Sequence, residues 1–359
     1  MAKGVALHIG VNRVDPAHYA GWDGKLNACE ADAEDTAELA RAQGFETDVL
    51  LTAEACREPV LRWMLGAAET LTAGDIFLIF YSGHGGQLPD LDGDENDDAD
   101  ETWCLFDGQI SDDELHAVYR RFAPGVRGLV LSDSCHSGTV TKTLMVKANL
   151  EQSGLGRIGP ESTFKAMPPD VADKTWRRNR SFYEPILTNP GLKGVNDGEP
   201  SATVRLISGC QDNQFSRDGT FNSAFTAALL RVWNKSNFKG GYHHLHKQIQ
   251  AQLPDSQSPN HYVIGPPDPE YDAQRPFTIN GSKAMSTEQS TKPIEIAMTL
   301  NGVKPTDESA VAEAVKGAAT KMARDLSEAA SRKDQSVSVT GSTNSQGHSS
   351  VSATYTIKW

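Results

Sequence analysis

Short apolar runs recur along the chain, and the segments between them carry the three-to-four-residue apolar spacing of helices. Val5–Val11, Thr47–Leu51, Ile76–Tyr81, Gly128–Ser132 and Thr203–Ser208 are predicted strands, with His261–Ile264 a sixth. Helices are predicted over "LNACEADAEDTAELARAQG", closed by Gly44, and over Glu58–Leu71, Asp112–Phe122 and Ser223–Trp233. Nearly continuous apolar strands alternating with helices imply an α/β fold. Its expected core is a mostly parallel six-stranded sheet with helices on both faces. Chemistry in such sheets gathers at the carboxyl ends of the strands.

Two stretches break the rhythm. Residues 141–200 show no clear periodicity and carry the basic cluster "KTWRRNRS". They are read as a linker between a segment at 1–140 and another at 201–280, together one domain. After "RPFTING" the composition changes: a strand at Ile294–Leu300, a helix at Glu308–Arg332, then Ser/Thr-rich alternation with a turn around Asn344–Gly347. Residues 286–359 are expected to form a small separate α+β module.

Charge narrows the partners. The formal net charge is −13, which disfavours nucleic acid and favours a cationic substrate. No apolar run is long enough to span a membrane. "MAKGVALHIGVN" turns polar too early for a secretory signal. Cys29, Cys56, Cys104, Cys135 and Cys210 are odd in number and contain no CxxC pair. That argues against a disulfide framework or a zinc site and for a reducing, cytoplasmic location.

Candidate chemistry sits at two strand ends. The third strand runs into "YSGHGG" and the fourth into "SDSCHSG". Neighbouring parallel strands place their carboxyl ends side by side, so His84 and Cys135 can meet although they are 51 positions apart. An imidazole beside a thiol activates it as a nucleophile. The amides of Gly85 and Cys135 are candidates for an oxyanion hole. His136 is the weaker base, because adjacent side chains in extended chain diverge. Asp133, two positions before Cys135, shares its face and ends an apolar strand, where a carboxylate needs a partner. The competing reading is an inert buried thiol beside a structural histidine.

At these residues the chain resembles the metacaspases and their bacterial relatives the orthocaspases, within the caspase-like cysteine peptidases. "YSGHGG" and "DSCHSG" are similar to the two catalytic blocks, "ACEADAED" to an early Cys-x-x-Asp stretch, and "ISGCQDNQ…FNSAFTAALL" to the small-subunit strand and helix. The resemblance spans roughly residues 1–280 and implies a caspase-like fold, a Cys135–His84 dyad and a monomer. It also implies a pocket for a basic residue lined by Asp32, Ser82 and Asp133, and no cofactor for the chemistry. The Gln-Ala-Cys-Arg-Gly block of true caspases is absent, which argues against aspartate specificity.

The acidic loop "DLDGDENDDADETW" fails as an EF-hand, since Glu95 stands where the loop needs glycine and no helix is expected before it. The resemblance implies instead an activating Ca2+ held by Asp100, Asp112 and Asp113. Lys142 occupies the position of a further family ligand, a cation where an anion is expected. The alternative is a solvated loop with Asp112 and Asp113 favourable at a helix N-terminus.

The sequence thus favours a cysteine endopeptidase cutting protein or peptide substrates after Arg, then Lys. It is expected to process itself at Arg177, Arg178 or Arg180 in the basic linker, or at Lys142 or Lys147. The alternatives are a catalytically silent scaffold or calcium-responsive regulator, or a ligase on the same fold.

Overall fold

The computed structural model describes residues 2–91, 99–134, 165–189, 198–209, 222–254, 257, 259–280, 294–298, 335–343 and 349–357. The chain divides into two compact units, Met1–Gly281 and Ser282–Trp359.

In the first unit, six strands form one sheet in the order β2-β1-β3-β7-β8-β9. They are β1 (Gly4–Gly10), β2 (Glu46–Leu51), β3 (Ile76–Ser82), β7 (Arg127–Asp133), β8 (Thr203–Ser208) and β9 (Asn260–Ile264). All pairings are parallel except that of β8 with β9. The six predicted strands are therefore present within a residue or two of their expected ends. Every residue of β3 and β7 is buried, as expected of strands covered on both faces. Their side chains alternate between two cores. Phe77, Ile79, Tyr81 and Val130 join one apolar cluster with Val60 and Met64 of α2 (Arg57–Thr70) and Leu115 and Val118 of α3 (Asp112–Tyr119). Ile76, Leu78, Phe80, Leu129 and Leu131 join the other with Ala33 and Ala40 of α1 (Cys29–Ala42) and Phe225 and Leu229 of α6 (Ala224–Trp233).

A second, three-stranded antiparallel sheet joins β4 (Gly85–Pro89), β5 (Ala99–Leu105) and β6 (Gly108–Ser111) in that order. It was not expected from the apolar pattern, because β4 reads "GGQLP" and β5 mixes acids with apolar residues. Within the stretch expected to be an unpatterned linker, α4 (Pro169–Arg178) and α5 (Arg180–Leu187) are helical. Tyr183 and Leu187 of α5 pack with Leu88 of β4, and Tyr183 Oη accepts the Gln109 amide at 3.0 Å. The helices α7 (Tyr242–Gln250) and α8 (Pro269–Ala273) complete the unit.

In the second unit, β10 (Ile294–Met298), β11 (Gln335–Thr343) and β12 (Ser349–Ile357) form an antiparallel sheet in the order β10-β12-β11. The predicted alternation thus gives paired strands on either side of the expected turn. The helix predicted at 308–332 lies outside the described residues. No helix among the described residues is long and apolar enough to cross a membrane.

Candidate active site

The site is assembled where β1, β3 and β7 end together. Gly10 is in register with Ser82, and Ser82 with Asp133. Helix α1 starts directly above β1. Its first amides, those of Cys29 and Glu30, donate to Asn12 Oδ1 at 2.9 and 3.3 Å, serving donors that a helix start leaves open. A side chain at Gly10 would strike the Cys29 carbonyl at 2.4 Å, so glycine there lets α1 come down over the strand end. One turn into α1, Asp32 is fully buried.

Asp32, Ser82 and Asp133, three residues expected to line a pocket, are brought together around one cation. The Lys165 ammonium lies 3.2 Å from Asp32 Oδ2, 3.1 Å from Asp133 Oδ2 and 2.7 Å from Ser82 Oγ. The side chains of Lys165, Asp32 and Asp133 are all shielded from solvent. The acids are further held from α6 and its approach. Asp32 Oδ1 accepts the Ser223 amide at 2.9 Å and the Asn222 amide group at 3.2 Å, while Asp32 Oδ2 accepts Ser82 Oγ–H at 2.8 Å. Asp133 Oδ2 accepts from the Ser223 hydroxyl and, at 3.1 Å, from Thr226 Oγ1. Burial raises the Asp32 pKa, and the neighbouring Asp133 charge adds to it; Lys165, Ser82 and the Ser223 amide oppose the rise. Burial works against the Lys165 charge, yet Asp133, Cys29 and Asp32 outweigh it and hold the ammonium above its ordinary range. Two buried carboxylates facing one buried ammonium form a site for a cation, because unpaired charge at this depth is costly.

His84 follows β3 and is buried. Its Nε2 lies 2.9 Å from the Gly24 carbonyl. A carbonyl only accepts, so Nε2 carries the proton and Nδ1 is the basic nitrogen. The Nδ1 atom is buried with no hydrogen-bond partner among the described residues. The Trp22 ring covers the imidazole at 4.7 Å between centroids. Burial pushes the His84 pKa down to about 4. The Gly24 carbonyl counters it, the Lys165 charge lowers it further, and the Ala166 backbone works in the same direction as Gly24. Gly85, a predicted oxyanion donor, points its amide at the carbonyl oxygen of Lys165, 3.0 Å away.

Cys135, also expected in the oxyanion hole, and His136 lie outside the described residues, as do Lys142 and Lys147. The chain is described up to Ser134, buried with its hydroxyl 3.0 Å from that of Ser132. Asp100 is buried on β5, whereas Asp112 and Asp113 open α3. Among the described residues, no group of three or more His, Cys, Asp or Glu is arranged to hold a metal ion. Arg177 and Arg178 lie on α4 and Arg180 on α5, with Arg177 paired to Asp173 at 2.9 Å and Arg180 to Glu184 at 2.7 Å.

Sequence reasoning missed Lys165, Asn222, Ser223, Thr226 and the Gly24 carbonyl. Ser223 carried a signal: it stands at the start of a predicted helix, where hydroxyls are common caps. Instead of capping α6, it holds both acids.

A family model described as "Caspase domain" matches residues 3–294. A metacaspase-1 of Mycosarcoma maydis is 32% identical over 263 residues, covering 65% of this chain and 63% of that protein. A metacaspase-1 of Botryotinia fuckeliana is 31% identical over 281 residues, covering 70% and 65%. The chain thus spans less than two thirds of the length of these relatives. The crystal structure of protein GSU0716 from Geobacter sulfurreducens superposes with a TM-score of 0.70 at 50% identity, covering 77% of this chain and 99% of that one.

Proposed function

Because this chain belongs to the caspase domain family, we propose that it is a cysteine endopeptidase that cuts after Arg and Lys, with Cys135 as nucleophile and His84 as its acid and base. The observation that carries the reading is the Lys165 ammonium held between Asp32 and Asp133 beside His84. A substrate's basic side chain takes the place of that ammonium. Its carbonyl oxygen takes the place of the Lys165 oxygen on the Gly85 amide, and the charge that develops there in the tetrahedral state strengthens this hydrogen bond. The Cys135 thiol gives its proton to His84 Nδ1, and the thiolate attacks the carbonyl carbon. His84 returns the proton to the leaving amine. Water then opens the thioester, its proton passing to His84.

Arg should exceed Lys, because a guanidinium can engage Asp32 and Asp133 with two parallel hydrogen bonds. A reducing compartment is consistent with Cys29, Cys56 and Cys104, which form no disulfide among the described residues. A silent scaffold is disfavoured by the presence of both His84 and Cys135. The test is release of a dye from Arg-, Lys- and Asp-ending peptides, with calcium and with chelator. Arg-ending peptides should be cut fastest, and Cys135→Ala should be inert. Preference for Asp-ending peptides would refute the reading.

A further inference from the structure

The loop from β1 to α1, residues 11–28, reads "VNRVDPAHYAGWDGKLNA" and carries two groups that meet His84. One is the Gly24 carbonyl, 2.9 Å from Nε2. The other is Trp22, a half-buried indole whose ring centroid lies 4.7 Å from that of the imidazole. The loop is pinned on both sides of Trp22. The Asp15 amide donates to the Phe106 carbonyl at 2.8 Å, the Val14 amide to the Asp23 carbonyl at 2.9 Å and the Leu26 amide to the Asn12 carbonyl at 2.7 Å. Tyr19, fully buried, donates its hydroxyl to the Leu105 carbonyl at 2.7 Å and meets the Trp22 ring edge-on at 6.1 Å. A side chain on Gly24 would strike the indole at 2.9 Å. Trp22 thus packs against the His84 ring and against the residue that accepts from it.

We propose that Trp22 is a positioning residue for the base: its indole shuts water away from the His84 ring and keeps Nε2 on the Gly24 carbonyl, so that Nδ1 stays the atom that takes a proton. This rests on the peptidase reading above for the use of that nitrogen. The His84 backbone is fixed separately, its carbonyl accepting from the Tyr81 hydroxyl at 2.7 Å and from the Cys104 amide at 2.9 Å. Those bonds do not stop the ring from turning about its side-chain torsions; the contacts from the loop do. An imidazole that turns away loses the geometry that proton transfer needs.

An indole acts on an imidazole in two opposed ways. Its π face attracts a cation and favours the protonated ring. Its bulk excludes water and disfavours that form. Burial is the largest influence on His84 and pushes it down to about 4, so exclusion outweighs attraction. Among the described residues, the charged group that acts on the ring is the Lys165 ammonium, which also disfavours protonation, while the Gly24 and Ala166 backbones favour it. Asp32 and Asp133 are engaged with Lys165.

The test titrates the His84 ring by NMR in the full chain carrying Cys135→Ala, with Trp22 kept or replaced. The same Trp22 variants with Cys135 in place are assayed for kcat and KM on an Arg-ending dye peptide. Trp22→Ala should raise the His84 pKa from about 4 to about 5 or above. It should lower kcat about tenfold through the looser ring, with KM little changed because Asp32 and Asp133 are untouched. Trp22→Phe keeps an aromatic cover and should restore most of both. Where alanine unfolds the loop, Trp22→Leu gives the same comparison with a smaller rise. A residue that only stabilised the fold would lower Tm and leave the His84 titration in place. That result, or a pKa that falls, overturns the proposal and spares the peptidase reading. A native chain inert on all peptides overturns the peptidase reading itself, and the titration then still decides whether Trp22 shields the ring.

Discussion

Asp32 and Asp133 on one side, and Asp112 and Asp113 on the other, are acids of the same chemistry in opposite surroundings. The first pair comes from a helix turn and a strand end brought together by the parallel sheet, and both carboxylates are fully buried on one ammonium. The second pair are neighbours in the first turn of α3, with Asp112 exposed. There Ser111 and Glu114 form a reciprocal cap, the Ser111 hydroxyl accepting the Glu114 amide at 3.2 Å. Adjacency in sequence produced a helix terminus, and convergence across about a hundred residues produced a pocket. Burial separates the two cases. A carboxylate removed from water needs a cation and donors, whereas one at an exposed helix start is served by solvent and the helix dipole.

The strongest way to sharpen that contrast is to remove the chemistry the pocket serves. Cys135→Ala should lower kcat on an Arg-ending peptide by on the order of 10⁴–10⁶-fold, as loss of a nucleophile does elsewhere. His84→Ala should be nearly as damaging and His136→Ala much less so. Retained turnover in Cys135→Ala would remove Cys135 from the chemistry that the pocket serves. Next comes the pocket itself. Asp133→Ala should reduce kcat/KM on Arg-ending peptides by roughly 10²–10³-fold, because it leaves a buried cation with half its compensation. Asp32→Ala should behave similarly. Equal rates for Asp133→Ala and Asp112→Ala would erase the distinction between the two pairs.

Acid is a milder probe. His84 is held neutral by burial with its pKa pushed down to about 4, while in the unfolded chain it titrates near its ordinary value. Between those values the unfolded state binds more protons, so stability contributed by the neutral ring is complete above about pH 6.5 and is lost as pH falls toward 4. The loss attributable to His84 is about 3 kcal/mol. His8, buried and pushed down to about 3, adds to the same acid limb. Urea unfolding at pH 7 and pH 4.5 should show the slope, and His84→Gln should flatten part of it. An unchanged slope would mean that the ring is not held neutral.

The sheet was legible in the sequence because its strands are buried on both faces and leave apolar runs. The antiparallel sheet was not, since β4 opens with two glycines, the second of them required by a close approach: a side chain on Gly86 would hit Met167, Gln109 and Thr102. The helices at 169–187 were hidden by prolines at 168, 169 and 185 and by a basic cluster whose charges pair four residues along the helix. Asp32, Ser82 and Asp133 were found by motif and strand-end position. Lys165 carries no local signal. Its burial depends on acids 133 and 32 positions away, and only the folded sheet brings them within reach.

The smallest effect tests the outer pair directly. Asp112 sits in the first turn of α3, where a negative charge meets the partial positive charge of the helix start. Asp112→Asn removes the charge and keeps the side chain's shape and its capacity to accept the neighbouring Asp113 amide. Exposed charges of this kind contribute about 0.3–1 kcal/mol, less as salt screens them. The expected result is a drop in unfolding free energy within that range at low salt, shrinking at high salt, with kcat/KM on Arg-ending peptides unchanged in calcium and in chelator alike. The Ser111–Glu114 cap and the Arg57–Glu114 ion pair at 2.7 Å hold the helix start without it. A loss of activity restored by calcium would instead assign Asp112 to an ion, and the two pairs of acids would then differ in which cation they hold rather than in whether they hold one.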